Sequence, residues 1–202
     1  NIPINQQFLI EQYNGINETQ EFSQHPLKIF FLDIEVLSPN EFPEAEQAKH
    51  PINLITIYDS LTEEYHTWGL GNDYTPKTPN IHYYKYDSET EMLKSFIEFW
   101  EKDYPDVATG WNSEGFDIPY IINRITNILG EVYVKRLSPV NSLKFRDGIV
   151  NRFGQVRGKW TIHGISCIDY MDTYITFSPN EKSSNALNYI AEEELGETKL
   201  AL

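Results

Sequence analysis

Two carboxylates one residue apart, Asp33 and Glu35, stand in the otherwise apolar run Lys28-Ile29-Phe30-Phe31-Leu32-Asp33-Ile34-Glu35-Val36. Its β-branched and aromatic content predicts a strand, and residues two apart on a strand project from one face. Two like charges held side by side repel and lose solvation when covered. A divalent cation removes that cost, because hard Mg²⁺ takes carboxylate oxygen. The chemistry on offer is therefore metal-assisted. The plainer reading is a strand end where both side chains reach water. A third acid, Asp117, follows Gly110-Trp111-Asn112-Ser113-Glu114-Gly115-Phe116 and precedes a helical pattern. Alone it is an acid in a first helical turn, stabilised by the helix dipole. Set at a fixed short distance after Asn112, beyond a strand able to lie beside the first, it brings a third carboxylate to the pair.

The elements that must hold these groups follow from periodicity. The continuous apolar start of the first strand predicts cover on both faces. Ser38–Pro43 is a loop by composition. Strands follow at Ile52–Ser60 and Glu64–Trp68, joined by a turn at Leu61-Thr62-Glu63, and a short one at Ile81–Tyr86. Ser88-Glu89-Thr90-Glu91 has the spacing of a capping box. Met92, Leu93, Phe96, Ile97 and Trp100 then recur at helical intervals and predict a helix from Ser88 to about Asp103. A brief strand and turn, Val107–Asn112, leads to a second helix marked by Ile118, Ile121, Ile122, Ile125, Ile128 and Leu129. Pro119 lies in its first turn and Gly130 stops it. Phe145–Thr161 predicts a long β-hairpin with Gly154 near its tip, Ile165–Tyr170 a strand, and Ala186–Glu194 a short amphipathic helix. The expected class is α/β: a mixed central sheet flanked by helices, with site positions at strand ends.

Composition bounds the function. Of 202 residues, 40% are hydrophobic and 14% aromatic, enough for a sizeable core and against wholesale disorder. Sixteen Lys and Arg against 30 Asp and Glu give a net charge of −14. That excludes the basic footprint of a general nucleic-acid binder, but not a site where carboxylates hold metal ions that in turn hold a phosphate. No apolar run approaches the ~20 residues of a membrane span, and Asn1–Asn5 lacks the features of a signal peptide. The single cysteine, Cys167, excludes an internal disulfide and fits a reducing compartment; it reads as a small buried hydrophobe. His25, His50, His66, His82 and His163 share no metal-like spacing and read as structural. Residues 1–27 are polar and read as a lead-in from a preceding domain. The first residue is not Met and Ala201-Leu202 closes no element, so a piece of a longer polypeptide is expected.

The motifs resemble a known family. Asp33-Ile34-Glu35 is similar to the Exo I motif, and Asn112 through Phe116-Asp117 to Exo II, of the 3′–5′ exonuclease domain in family B DNA polymerases. The likeness runs to the replicative polymerases of T-even-type bacteriophages, with similar counterparts for Phe42-Pro43-Glu44, Gln47–Ile52, Tyr58-Asp59-Ser60, Thr109–Asn112, Lys135–Pro139, Gly164-Ile165-Ser166, Asp169-Tyr170 and Asp172. It extends from about Lys28 to about Leu200, which sets the expected exonuclease domain at 28–202.

The resemblance implies a ribonuclease H-like exonuclease fold with a protruding β-hairpin, and hydrolysis of the terminal phosphodiester with two Mg²⁺ or Mn²⁺ ions. Asp33 would bridge the ions, Glu35 would bind the first and help orient the attacking water, and Asp117 would hold the second. Implied partners are the single-stranded 3′ end of primer DNA and the remainder of the polymerase, in the same chain or a separate subunit, in the cytoplasm of an infected bacterial host. Asn112 and Phe116 fall on the DNA-binding side of the motif. Phe42 is a candidate wedge or stacking residue for a frayed primer end, or a loop anchor. The hairpin with Arg152, Phe153, Arg157 and Lys159 is similar to a strand-separating hairpin, or is a solvated protrusion. The family's Exo III motif, a Tyr and an Asp separated by three residues, lies beyond the helix expected at Ala186–Glu194, and the sequence stops before it. Asp172, in Tyr170-Met171-Asp172, reads as a capping or structural acid rather than a substitute. Weak or absent nuclease activity is therefore expected of these residues alone. The rival readings are a non-catalytic DNA-binding or scaffolding part of a split polymerase and, less favoured, a free-standing ribonuclease of the same fold.

Overall fold

Alternation along the first strand decides which face of the sheet is packed. In a computed structural model that describes residues 26–39, 41–71, 73–150, 156–178 and 182–198, β1 (Ile29–Val36) buries Phe30, Leu32 and Ile34 and leaves Phe31, Asp33 and Glu35 exposed. The expectation of cover on both faces is corrected: among the described residues one face is packed. Phe31, whose apolarity suggested a second covered face, lines an open cleft with Asp33.

The chain continues through β2 (Ile52–Asp59), β3 (Glu64–Leu70), β4 (Ile81–Tyr86), α1 (Glu89–Lys102), β5 (Val107–Gly110), α2 (Asp117–Leu129) and α3 (Glu131–Lys135). It then forms β6 (Leu143–Val150), β7 (Val156–Ile162), β8 (Ser166–Asp169), α4 (Tyr170–Phe177) and α5 (Leu187–Leu195). Six strands make one sheet in the order β4-β3-β2-β1-β5-β8, and β6 and β7 form a separate two-stranded ribbon. β2 runs antiparallel to both its neighbours, β1 and β3, while β4 runs parallel to β3, β5 to β1 and β8 to β5. The mixed sheet flanked by helices matches the expected class.

α1 and α2 cover the buried face of β1. Met92, Leu93, Phe96, Ile97 and Trp100 of α1 join Ile118, Ile121, Ile122 and Ile125 of α2 in one core with Phe30, Leu32 and Ile34. The Phe30 ring meets Trp100 edge-on at 5.5 Å, and Trp68 meets Phe96 at 5.5 Å, a geometry that aromatic quadrupoles favour. α4 and α5 lie on the other face, across the cleft from Phe31, Asp33 and Tyr58.

Three local expectations differ. Ser88 takes the N-cap place of α1, but its side chain makes no capping bond; the carboxylate of Glu89 instead accepts the Ile52 N–H at 2.9 Å. β8 stops at Asp169, one residue short of the expected end, because the Asp169 carboxylate accepts the Met171 N–H and starts α4. α4 gave no periodic signal because none of its side chains is fully buried. The hairpin strands match, although the tip, with Arg152, Phe153 and Gly154, and the side chain of Arg157 lie outside the described residues.

α2 also holds the loop that follows β1. Arg124 pairs with Glu89 at 2.6 Å with both side chains about nine-tenths covered (10% and 12% exposed), and donates to the carbonyls of Ala48 and Lys49 at 3.1 and 2.8 Å. Asn123 and Asn127 donate to Ala45 and Gln47, and the Tyr120 hydroxyl to His50. Removing one partner of a buried ion pair leaves the other charge uncompensated. Arg124→Leu is therefore expected to lower unfolding free energy by about 3 kcal/mol or more in urea titrations. A loss under about 1 kcal/mol would show that the pair is solvated.

Candidate active site

β5 pairs with β1 only from Ile29 to Phe31, opposite Val107 to Thr109. At Gly110 the chain turns away. A Cβ there would stand 2.3 Å from the Leu32 carbonyl oxygen, so glycine is required for β5 to end flush against the strand that carries Asp33. Asn112 adopts a left-handed backbone (φ 59°) and its carbonyl accepts the N–H groups of Gly115 and Phe116 at 3.0 and 2.9 Å. Asn is among the residue types that tolerate that region. This tight turn returns Asp117, the first residue of α2, to β1, where its Oδ1 accepts the Ile34 N–H at 3.1 Å. The amide so captured lies between Asp33 and Glu35 in the chain, and the buried Asp117 carboxylate is close enough to Asp33 to feel its charge.

Asp117 is 4% exposed. Burial, followed by the nearby Asp33 charge, raises its pKa from 3.8 to about 7, against the lowering effect of the Ile34 hydrogen bond. A second buried acid, Asp169, knits the turn to β8: its carboxylate accepts the N–H groups of Asn112, Glu114 and Met171 at 3.0–3.2 Å. Burial is the main cause that raises its pKa also. Glu114, half-buried nearby, pairs with Lys159 of β7 at 2.7 Å. Burial lifts the Glu114 pKa while Lys159 opposes the shift.

The family model for the exonuclease domain of family B DNA polymerases matches residues 4–190. The DNA-directed DNA polymerase of Escherichia phage RB69 is 38% identical over 89% of this chain and 22% of its own length. That of Enterobacteria phage T4 is 34% identical over 83% and 21%, and the DNA polymerase of Acanthamoeba polyphaga mimivirus 32% over 82% and 10%. The chain belongs to the family B DNA polymerase exonuclease domains. It spans about a fifth of the length of the two phage polymerases. Its sheet order and flanking helices are those of the ribonuclease H-like exonuclease fold.

Exonuclease domains of this family depend on divalent metal. Asp33, Glu35 and Asp117 offer hard oxygen ligands, and the raised Asp117 pKa marks a buried carboxylate short of compensating positive charge.

The other expected site residues divide. Phe42, in the loop held by Arg124, is 82% exposed, with its ring 5.8 Å from that of Phe116. Phe116 in turn packs 5.4 Å from Tyr120. These two aromatics stand together near the carboxylates. Asn112 contributes through its backbone turn. Lys159, read from sequence as part of a basic hairpin face, is engaged by Glu114 and anchors the hairpin base. Arg152, Phe153 and the side chain of Arg157 lie outside the described residues. Asp172 sits in the first turn of α4, close enough to Asp169 and Glu114 to raise the pKa of both. Burial pushes the Cys167 thiol up to about 11, leaving it unreactive as a small hydrophobe.

Sequence reasoning gave no role to Asp169, Glu114 or Arg124. Asp169 immediately ahead of a helix was an available N-cap signal. The Glu114–Lys159 and Glu89–Arg124 pairs join residues far apart in the chain and leave no local trace.

The titration of Asp117 has a definite sign. The folded state keeps its proton up to about pH 7, whereas the unfolded chain releases it near 3.8. Its contribution is therefore fully present below the unfolded pKa and is lost as pH rises through the folded one. Asp117→Asn keeps an acceptor for Ile34 and removes the ionisation. In chelator at pH 8 the variant is expected to be more stable than the parent by up to about 4 kcal/mol, with little difference at pH 4. Urea unfolding at both pH values checks this; a variant weaker than the parent at pH 8 would refute it.

Proposed function

We propose that this chain supplies the proofreading centre of a phage DNA polymerase: it removes nucleotides from the 3′ end of primer DNA by hydrolysing the terminal phosphodiester. The observation that carries the reading is the Asp117 bond to Ile34, which sets a buried carboxylate against the strand that bears Asp33 and Glu35. Asp33, Glu35 and Asp117 are the residues that would hold two Mg²⁺ or Mn²⁺ ions. Such ions supply an acidified water as nucleophile and positive charge for the departing oxygen. Asp33 and Glu35, on the solvent face of β1, meet the phosphate from the open side. Asp117 braces the same strand from within its edge. Phe42, exposed beside Phe116, offers a ring on which a terminal base stacks. Asn112 sets the turn that delivers Phe116 and Asp117.

The fourth carboxylate, with its tyrosine, comes from the remainder of the polymerase, in the same chain or a separate subunit. Arg152, Phe153 and Arg157 on the hairpin contact DNA as the primer end moves between sites. The protein acts in the cytoplasm of an infected bacterial host. No helix among the described residues is long and apolar enough to cross a membrane. A non-catalytic DNA-binding module is not favoured, because such a module has no use for a buried carboxylate held beside the charge of Asp33.

A time course on 5′-labelled single-stranded DNA with Mg²⁺ or Mn²⁺ tests this, beside Asp33→Ala. Slow stepwise shortening from the 3′ end is expected, absent in the variant and accelerated when the remainder of the polymerase is supplied. Silence even then would overturn the reading. Phe42→Ala should weaken binding of single-stranded 3′ ends by about 5- to 150-fold at unchanged melting temperature. Unaltered binding would reduce Phe42 to a loop residue.

A further inference from the structure

β3 and β4 run parallel although only residues 71–80 separate them. Parallel neighbours usually need a crossover of a dozen or more residues, so β4, at the sheet edge, is tied down by a short return. At the start of both strands the pairing places His66 directly beside His82. Their rings stack at 4.9 Å with 17° between planes. Glu64 joins them: its Oε1 is 3.3 Å from His82 Nε2 and its Oε2 3.7 Å from His66 Nε2. One ligand atom from each of the three residues lies within 4.8 Å of the others.

This cluster is not part of the carboxylate site. Asp33 is in register with Thr56, and Thr56 with Thr67, whereas His66 alternates to the opposite face and packs 4.5 Å from the Phe99 ring of α1.

Two further observations point to a ligand rather than to an ordinary polar contact. The approach of Glu64 to His82 Nε2 is out of line for a hydrogen bond, and that nitrogen is buried with no hydrogen-bond partner among the described residues. A buried polar atom without a partner calls for an explanation. The other ring is already set for coordination: His66 Nδ1 lies 3.1 Å from the Tyr84 hydroxyl. In the tautomer whose Nδ1–H donates there, the Nε2 lone pair faces Glu64 and His82, the outer-shell arrangement of metal-bound histidine.

We propose that Glu64, His66 and His82 form a Zn²⁺ site that staples β4 to β3. Two imidazoles and a carboxylate are a zinc donor set, with a water as fourth ligand. Ligand atoms about 2.0–2.1 Å from a tetrahedral ion stand ~3.3 Å apart, so the observed separations close by side-chain rotation. His82 and Glu64 are 37% and 39% exposed, which leaves an entry path and room for the water. Mg²⁺ does not compete, because it prefers oxygen ligands in octahedral array.

The test is equilibrium dialysis of the 202-residue chain against Zn²⁺ in excess Mg²⁺, with bound metal counted and melting temperature recorded. The parent and Asp33→Ala are expected to retain one Zn²⁺ each and to melt higher with it. His82→Ala and Glu64→Gln, both at partly exposed positions, should keep the same far-ultraviolet circular dichroism while Zn²⁺ affinity falls at least about tenfold and the thermal shift disappears. Co²⁺ in place of Zn²⁺ should give the visible ligand-field bands of a four-coordinate ion in the parent and lose them in His82→Ala. Equal Zn²⁺ retention by parent, His82→Ala and Glu64→Gln would overturn the assignment. So would retention that depends on Asp33, or no uptake at all.

Discussion

An amide N–H inside a sheet demands an acceptor, and on β1 the neighbouring strand stops supplying one after Phe31. Asp117 takes over at Ile34, and the arrangement of the site follows from that substitution of a carboxylate for a strand. The acceptor must come from a segment that leaves β5 sharply and returns at once. Gly110 against the Leu32 carbonyl and the left-handed Asn112 meet that demand. The bond brings Asp117 to the strand that bears Asp33 and Glu35, and it does so by burying a carboxylate whose proton is then held up to about pH 7. A carboxylate so buried is short of compensating positive charge.

α2 extends the same logic outward. Its apolar stripe fills the core under β1, its first residue is Asp117, and its polar flank reaches the loop after β1. Asn123, Arg124, Asn127 and Tyr120 all bond to main-chain carbonyls of residues 45–50. One helix thereby sets a buried acid against β1 and holds the loop that carries Phe42. The loop is held by its carbonyls rather than by the Phe42 ring, which stays 82% exposed.

The strong acidity of the chain takes on a local meaning in this frame. Asp169 organises the turn through three main-chain donors rather than through a cation. Lys159 meets Glu114 where the hairpin joins the domain. Lys28, Arg124, Arg136 and Lys159 are likewise committed to pairs with acids, and the exposed face of β1 carries Phe31, Asp33 and Glu35.

Much of this was legible in the residues. Alternation and β-branching marked β1, helical periodicity marked α1 and α2, and Asp33, Glu35 and Asp117 were recognisable because their types and short spacings are local properties of the chain. Signals failed where no local pattern exists. α4 buries no side chain fully and so has no stripe to read; the exposed face of β1 depended on what lies across it, not on Phe31 itself. The pairs Glu89–Arg124 and Glu114–Lys159, and the meeting of His66 with His82, join positions whose separation matches no motif. A sequence determines which face of a strand or helix is apolar, because that is fixed by residue order within a few positions. Strand register and crossover decide which distant side chains share a few ångströms of space, and only the folded sheet sets those.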